Sequence, residues 1–211
     1  MAIDGTTHPA CLRAYGLDGL TTVLTYTGVV KKVLKTIKYR FVYDEAESLI
    51  DLIPVSIWQL LKNLTHNYEI YPIPLHQDRL RWRGFNQAEK LAQAIGKRLE
   101  VPIIDGLLIR KETRKPQADI AKRDDRIKNA HGLFTFNSSL SDPPWVESRR
   151  VTKNMPSTGS GNKIHETSFI SEHPSIILID DVWTTGATMK EAAKALKRNG
   201  VTHVWAVTVA R

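Results

Sequence analysis

The stretch SIILIDDVWTTGATMKEAAKALKRNGVTHVWAVTVA, residues 175–210, decides the fold. Its first eight residues, SIILIDDV, hold the continuous apolar run Ile176–Ile179, as expected of a short strand buried on both faces of a parallel sheet. Met189, Ala192, Ala193 and Leu196 then recur at the i, i+3, i+4, i+7 spacing of an amphipathic helix, and Asn199-Gly200 ends it. THVWAVTVA is a second β-branched strand. Strand, tight loop, helix and strand form a βαβ unit with a right-handed crossover, so the expected class is α/β with a parallel sheet.

The first strand ends on two adjacent carboxylates, Asp180 and Asp181. In open α/β sheets ligands bind beyond the C-terminal ends of the strands, which is where this pair falls. TTGAT, Thr184 to Thr188, follows and enters the helix. The first amides of a helix lack intrahelical partners, and its N-terminal dipole is positive. Gly186 allows a tight curl around an anion, and Thr184, Thr185 and Thr188 add hydroxyl donors, which together describe a phosphate cradle. Carboxylates repel phosphate but accept hydrogen bonds from sugar hydroxyls, so a sugar phosphate satisfies both halves of the motif. Either half by itself reads as an ordinary capped strand-to-helix turn; the combination is much rarer. The rival phosphate patterns GxxxxGK[ST] and GxGxxG do not occur.

Upstream, TTVLTYT at 21–27 reads as a strand, and Val30, Val33, Leu34 and Ile37 as the buried stripe of a helix whose other face carries Lys31, Lys32, Lys35 and Lys38. Such a lysine face is ordinarily a solvated one. DEAESLIDLI and SIWQLLKNL read as helices separated by Pro54, and YEIYPIPL as a strand with its prolines at the end. The basic stretch HQDRLRWRGF at 76–85 reads as a loop, after which Asn86 caps a helix with Leu91, Ala92, Ile95 and Leu99 on its buried face. Residues 110–117 read as a flexible charged loop, AKRDDRIKNAH as a polar helix and LFTF as a short strand. Residues 1–20 read as a loose lead-in to a single domain at 21–211. The Ser-, Pro- and Gly-rich run at 137–174 reads as a disordered insert, not a boundary between domains.

The 211 residues carry a net charge of +8, which favours anionic partners, and 42% apolar with 25% charged residues fits a globular protein. A single cysteine, Cys11, excludes an internal disulfide and a cysteine zinc site, in keeping with a cytoplasmic location. The start lacks the pattern of a signal peptide, and no apolar run approaches 18 residues, so membrane insertion is not expected.

IILIDDVWTTGAT resembles the phosphoribosyl-diphosphate (PRPP) signature of type I phosphoribosyltransferases. YPIPLHQDRLRWRGFNQAEKLA, IRKETRKPQADIAKRDDRIKNAHGLF, LDGLTTVLTYTGVVKKVLKTIKYR and the terminal VTVAR resemble segments of one branch, the ComF (competence protein F-like) family. The resemblance spans residues 17–136 and 175–211. It departs from the family at the N-terminus, where only HPAC resembles the usual four-cysteine zinc ribbon, and at the insert. It implies a type I phosphoribosyltransferase-like parallel sheet with flanking helices and a small N-terminal strand–helix segment.

The resemblance further implies that Asp180 and Asp181 hold the ribose hydroxyls of PRPP and that Thr184, Thr185, Gly186, Ala187 and Thr188 wrap its 5′-phosphate. The diphosphate loop is then Pro74, Leu75, His76, Arg79 and Arg83, and a mobile cover contributes Arg114 and Lys115. Asp180, Asp181 and Arg83 are the expected catalytic groups, with Mg2+ carried by the diphosphate and no structural zinc. The expected activity is transfer of the phosphoribosyl group to an unidentified acceptor. The alternative is a non-catalytic module that senses PRPP or a nucleotide, or an accessory of DNA uptake that binds single-stranded DNA or competence proteins. A homodimer, formed through the lysine-faced helix or a sheet edge, is left open.

Overall fold

The computed structural model describes residues 6–7, 13–40, 45–65, 68–111, 130–137 and 175–211. A four-stranded, all-parallel sheet runs in the order β1-β6-β5-β2, formed by β1 (Gly19–Leu24), β2 (Glu69–Pro72), β5 (Ser175–Val182) and β6 (His203–Ala210). A separate antiparallel pair joins β3 (Leu108–Arg110) to β4 (Phe134–Phe136). The helices are α1 (Gly28–Arg40), α2 (Glu45–Asp51), α3 (Val55–Thr65), α4 (Gln77–Arg83), α5 (Gln87–Leu99) and α6 (Ala187–Arg198). The class is α/β, with a parallel sheet flanked by helices, as in a type I phosphoribosyltransferase-like fold.

The apolar run of β5 is continuous because both of its faces are covered. Ile177 and Ile179 pack with Leu49, Leu61, Leu91 and Ile95 of α2, α3 and α5. Ile176 and Leu178 face the other way, with Met189, Ala193 and Leu196 of α6 and Phe134 of β4. The chain therefore leaves β2 for α5 on one face and leaves β5 for α6 on the other. The adjacent C-terminal ends of β2 and β5 form the point where connections diverge, which is the usual ligand crevice of such sheets.

Several local readings hold at residue level. Pro54 lies between α2 and α3, and Asn86 caps α5 by accepting from the Ala88 amide at 3.2 Å. Trp58 and Trp205 are buried in the core.

Three readings are corrected. The first strand occupies 19–24 rather than 21–27, because Thr25–Thr27 turn into α1 (Thr27 N–H donates to Thr25 O at 2.8 Å) and the strand is anchored earlier. Leu17 is buried, Asp18 accepts from the Val204 amide at 2.7 Å and from Lys197 Nζ at 2.8 Å, and Gly19 lies under the Trp205 indole. The basic stretch at 76–85 contains a helix, α4, bounded by His76 and by Gly84 in the left-handed region at φ 79°. Arg110, read as the start of a flexible loop, is the last residue of β3. Residues 112–129, with the expected polar helix, and 138–174 of the expected insert lie outside the described residues. Among the described residues no helix is long and apolar enough to cross a membrane.

Candidate functional site

Two loops meet at the crevice. The first follows β2, and its position is set by three hydrogen bonds. Ile73 N–H donates to Ile179 O at 2.9 Å, continuing the β2–β5 ladder one residue past the strand. Asn86 Nδ2 donates to Ile73 O at 2.9 Å, and Arg110 Nη1 donates to Pro74 O at 3.2 Å. Asn86 thus caps α5 with one end of its amide and fixes the loop with the other. Pro74, Leu75 and His76 are half-buried. His76 Nδ1 accepts from the Asp78 amide at 3.3 Å and lies 3.5 Å from Asp78 Oδ2, so the imidazole caps α4. Arg79 is half-buried, Arg81 is exposed, and Arg83 is buried at 5% exposure with its guanidinium 6.0 Å from the Trp82 ring centroid.

The second loop follows β5. Asp180 Oδ1 accepts from the Asp181 amide at 2.9 Å, and Asp181 Oδ1 accepts from the Val182 amide at 2.9 Å, so the backbone itself orients each carboxylate. Asp181 is 8% exposed and Asp180 is half-buried. Two carboxylates in a partly desolvated crevice require cationic or donor partners. Gly186 precedes α6 at φ 71° and supplies no side-chain cap. Thr185 Oγ1 accepts from the Ala187 amide at 3.3 Å, so this hydroxyl caps the helix, the ordinary role weighed against a phosphate contact. The Trp183 indole lies over Gly186 and packs against the α6 side of the core, and Trp183 N–H donates to Ala210 O at 2.8 Å.

Arg110 connects the two loops. Burial lowers its guanidinium from the ordinary value; the charge of Asp180 raises it, Arg79 lowers it further and Asp181 raises it. The group remains a cation, since arginine does not deprotonate in proteins. Both aspartates and Arg79 therefore act on Arg110 at the divergence of β2 and β5. Sequence reasoning left Arg110 out of the site because it placed the residue in a mobile loop. The same reasoning used Asn86 only as a cap. Thr184, exposed, and Thr188, half-buried, lie on the second loop and the start of α6 as expected, with Ala187 buried between them and Pro74 and Leu75 on the facing loop. Arg114 and Lys115 lie outside the described residues.

The fold and the paired loops define an α/β protein with a crevice at the C-terminal ends of β2 and β5. The chain is similar to competence protein F of Haemophilus influenzae, with 28% identity over 142 residues, 67% of this chain and 49% of that protein. It is 27% identical to competence protein ComFC of Bacillus subtilis over 181 residues, 85% of this chain and 58% of that protein. It is 27% identical to ComFC of Streptococcus pneumoniae over 144 residues, 68% of this chain and 48% of that protein. No family model matches the chain. These similarities support the ComF resemblance carried by the sequence motifs. The matched segments span about half the length of those relatives.

Proposed function

We propose that the crevice binds PRPP and that the chain transfers its phosphoribosyl group to an acceptor. The observation that carries this reading is the meeting of the Asp180–Asp181 pair and the Gly186 turn with the Ile73–His76 loop, where Arg110 holds Pro74 O and is acted on by both carboxylates. PRPP has ribose hydroxyls that donate to carboxylates, a 5′-phosphate suited to a helix N-terminus and a diphosphate suited to arginine. In the proposed division, Asp180 and Asp181 take the hydroxyls and residues 184–188 the 5′-phosphate. The 74–76 loop with Arg79, Arg83 and Arg110 faces the diphosphate, and Arg114 and Lys115 belong to a cover. Magnesium enters with the diphosphate as part of the substrate and neutralises its charge.

In the reaction, the bond between the anomeric carbon and the diphosphate oxygen breaks. The acceptor's nucleophilic atom bonds to that carbon, its proton passes to solvent or a nearby base, and diphosphate leaves. Positive charge grows on the sugar while negative charge grows on the leaving group. Asp180 and Asp181 suit the first, and the arginines the second. The test is diphosphate release followed by phosphorus NMR, with PRPP, magnesium and a panel of nucleobases. Release that depends on one base and vanishes in Asp180→Asn/Asp181→Asn supports transfer. No release with any base, in a protein that binds PRPP, leaves the sensor reading.

A second reading has its own observation. Trp82 of α4 is 64% exposed and is followed in the chain by Arg83 and preceded by exposed Arg81. An exposed aromatic among cations is a stacking surface for single-stranded nucleic acid. On this reading single-stranded DNA, with competence proteins as partners, occupies the face of α4, and Trp82→Ala weakens its binding without changing PRPP affinity.

A further inference from the structure

We propose that Arg110 is the positioning residue that joins the two halves of the crevice, fixing the loop after β2 while presenting its charge to the Asp180–Asp181 pair. This rests on the PRPP reading for its ligand but not for its geometry.

The geometry forms a closed brace. β3 is pinned to β2 by the Leu108 amide, which donates to the buried Tyr71 hydroxyl at 2.8 Å. Arg110 ends β3 in register with Phe134, and its guanidinium lies 5.7 Å from that residue's ring centroid. From there Nη1 returns to Pro74 O, two residues beyond the end of β2. Asn86 holds the preceding carbonyl, Ile73 O. Two consecutive carbonyls of the loop are therefore engaged by fixed side chains, which defines the direction of the backbone that follows. A carbonyl held by a donor is also not turned toward an incoming anion, where its dipole would repel. Arg110 adds charge balance. Both carboxylates act on its cation, which offsets part of their charge before a polyanion enters. Without Arg110 that offset is lost, and a diphosphate is repelled more than a phosphate bound at the separate turn of residues 184–188.

The test uses Arg110→Met and Arg110→Lys in the full chain, with two readouts. The first is hydrogen exchange of the ligand-free protein. Arg110→Met is expected to speed exchange across residues 75–80 by about tenfold, as for loss of one anchoring hydrogen bond, and to leave α6 unchanged. The second is calorimetry with PRPP and with ribose 5-phosphate, each with magnesium. Arg110→Met is expected to weaken PRPP by about tenfold or more and ribose 5-phosphate by less than about threefold, with Arg110→Lys recovering most of the PRPP loss. Unchanged exchange across 75–80 overturns the proposal. So does an equal loss for both ligands, or faster exchange throughout the core, because either marks a purely structural role. If wild-type protein does not bind PRPP while exchange across 75–80 still rises selectively, the PRPP reading fails and the positioning role stands.

Discussion

Replacing Gly186 by alanine tests whether the turn after β5 is built around its backbone conformation and its contact with Trp183. Gly186 sits at φ 71°, where an L-residue with a Cβ is strained by about 1–2 kcal/mol. An added Cβ would also overlap Trp183 Cζ2 and Cη2 and lie within 2.8 Å of Cε2. Overpacking of this kind costs about 1–3 kcal/mol, toward the low end here because Trp183 is half-buried and its indole can swing toward solvent. Together the two effects predict a loss of about 2–4 kcal/mol, if they add and the displaced indole finds no new packing. Urea unfolding followed by circular dichroism measures it, since the linear extrapolation converts the midpoint shift to free energy. The double variant Gly186→Ala/Trp183→Leu separates the terms. Removing the indole is expected to relieve the steric part and leave about 1–2 kcal/mol from the backbone. A Gly186→Ala protein as stable as wild type, or a double variant with no relief, refutes this account of the turn.

Other sites give further expectations. Asp18→Ala removes the partner of Lys197, whose side chain is only 8% exposed, and an acceptor for the Val204 amide; urea unfolding is expected to show a loss of about 3 kcal/mol, the low end for breaking a buried pair because Asp18 itself reaches water. Gly19→Ala drives a Cβ into the buried Trp205 ring, which is tethered through Nε1 to Thr21 Oγ1 at 3.0 Å, and should cost about 1–3 kcal/mol in the same assay. Tyr71 has its phenol pushed up mainly by burial, with the Leu108 hydrogen bond acting oppositely and Asp105 adding to the rise. A raised folded-state value means that the unfolded chain loses this proton first, so stability should be intact below pH about 10 and fall above it. Tyr71→Phe is expected to flatten that alkaline slope and to cost about 1–2 kcal/mol at neutral pH, since the buried Leu108 amide loses its acceptor.

The parts of the fold that were legible in the sequence are those whose signal is local and repeated. The unbroken apolar run Ile176–Ile179 of β5 reads as a strand covered on both faces, and the 189, 192, 193, 196 stripe of α6 is buried as its spacing requires. Helix α4 was not legible for a physical reason. Its two large apolar residues, Leu80 and Trp82, are 40% and 64% exposed, so it has no buried stripe to reveal it. It is set instead by its ends, His76 and Gly84. Strand β3 has three residues, too few for a period, and is held by the distant Tyr71 hydroxyl. The acidic pair and the Gly186 turn were readable because they are contiguous with β5. Arg110 was not, because its bond to Pro74 spans 36 residues and the carboxylates that act on it, Asp180 and Asp181, are distant in sequence. Asn86 shows the same limit: its capping role is local and readable, while its hold on Ile73 O is visible only in three dimensions.

The most direct measurement is a calorimetric titration of PRPP with magnesium into the full chain and into Asp180→Asn/Asp181→Asn. The account predicts saturable binding by the wild-type protein, weakened by about a hundredfold or more in the variant, as expected when two charged hydrogen-bond acceptors are lost. Absence of binding at millimolar PRPP, or equal binding by both proteins, would contradict it.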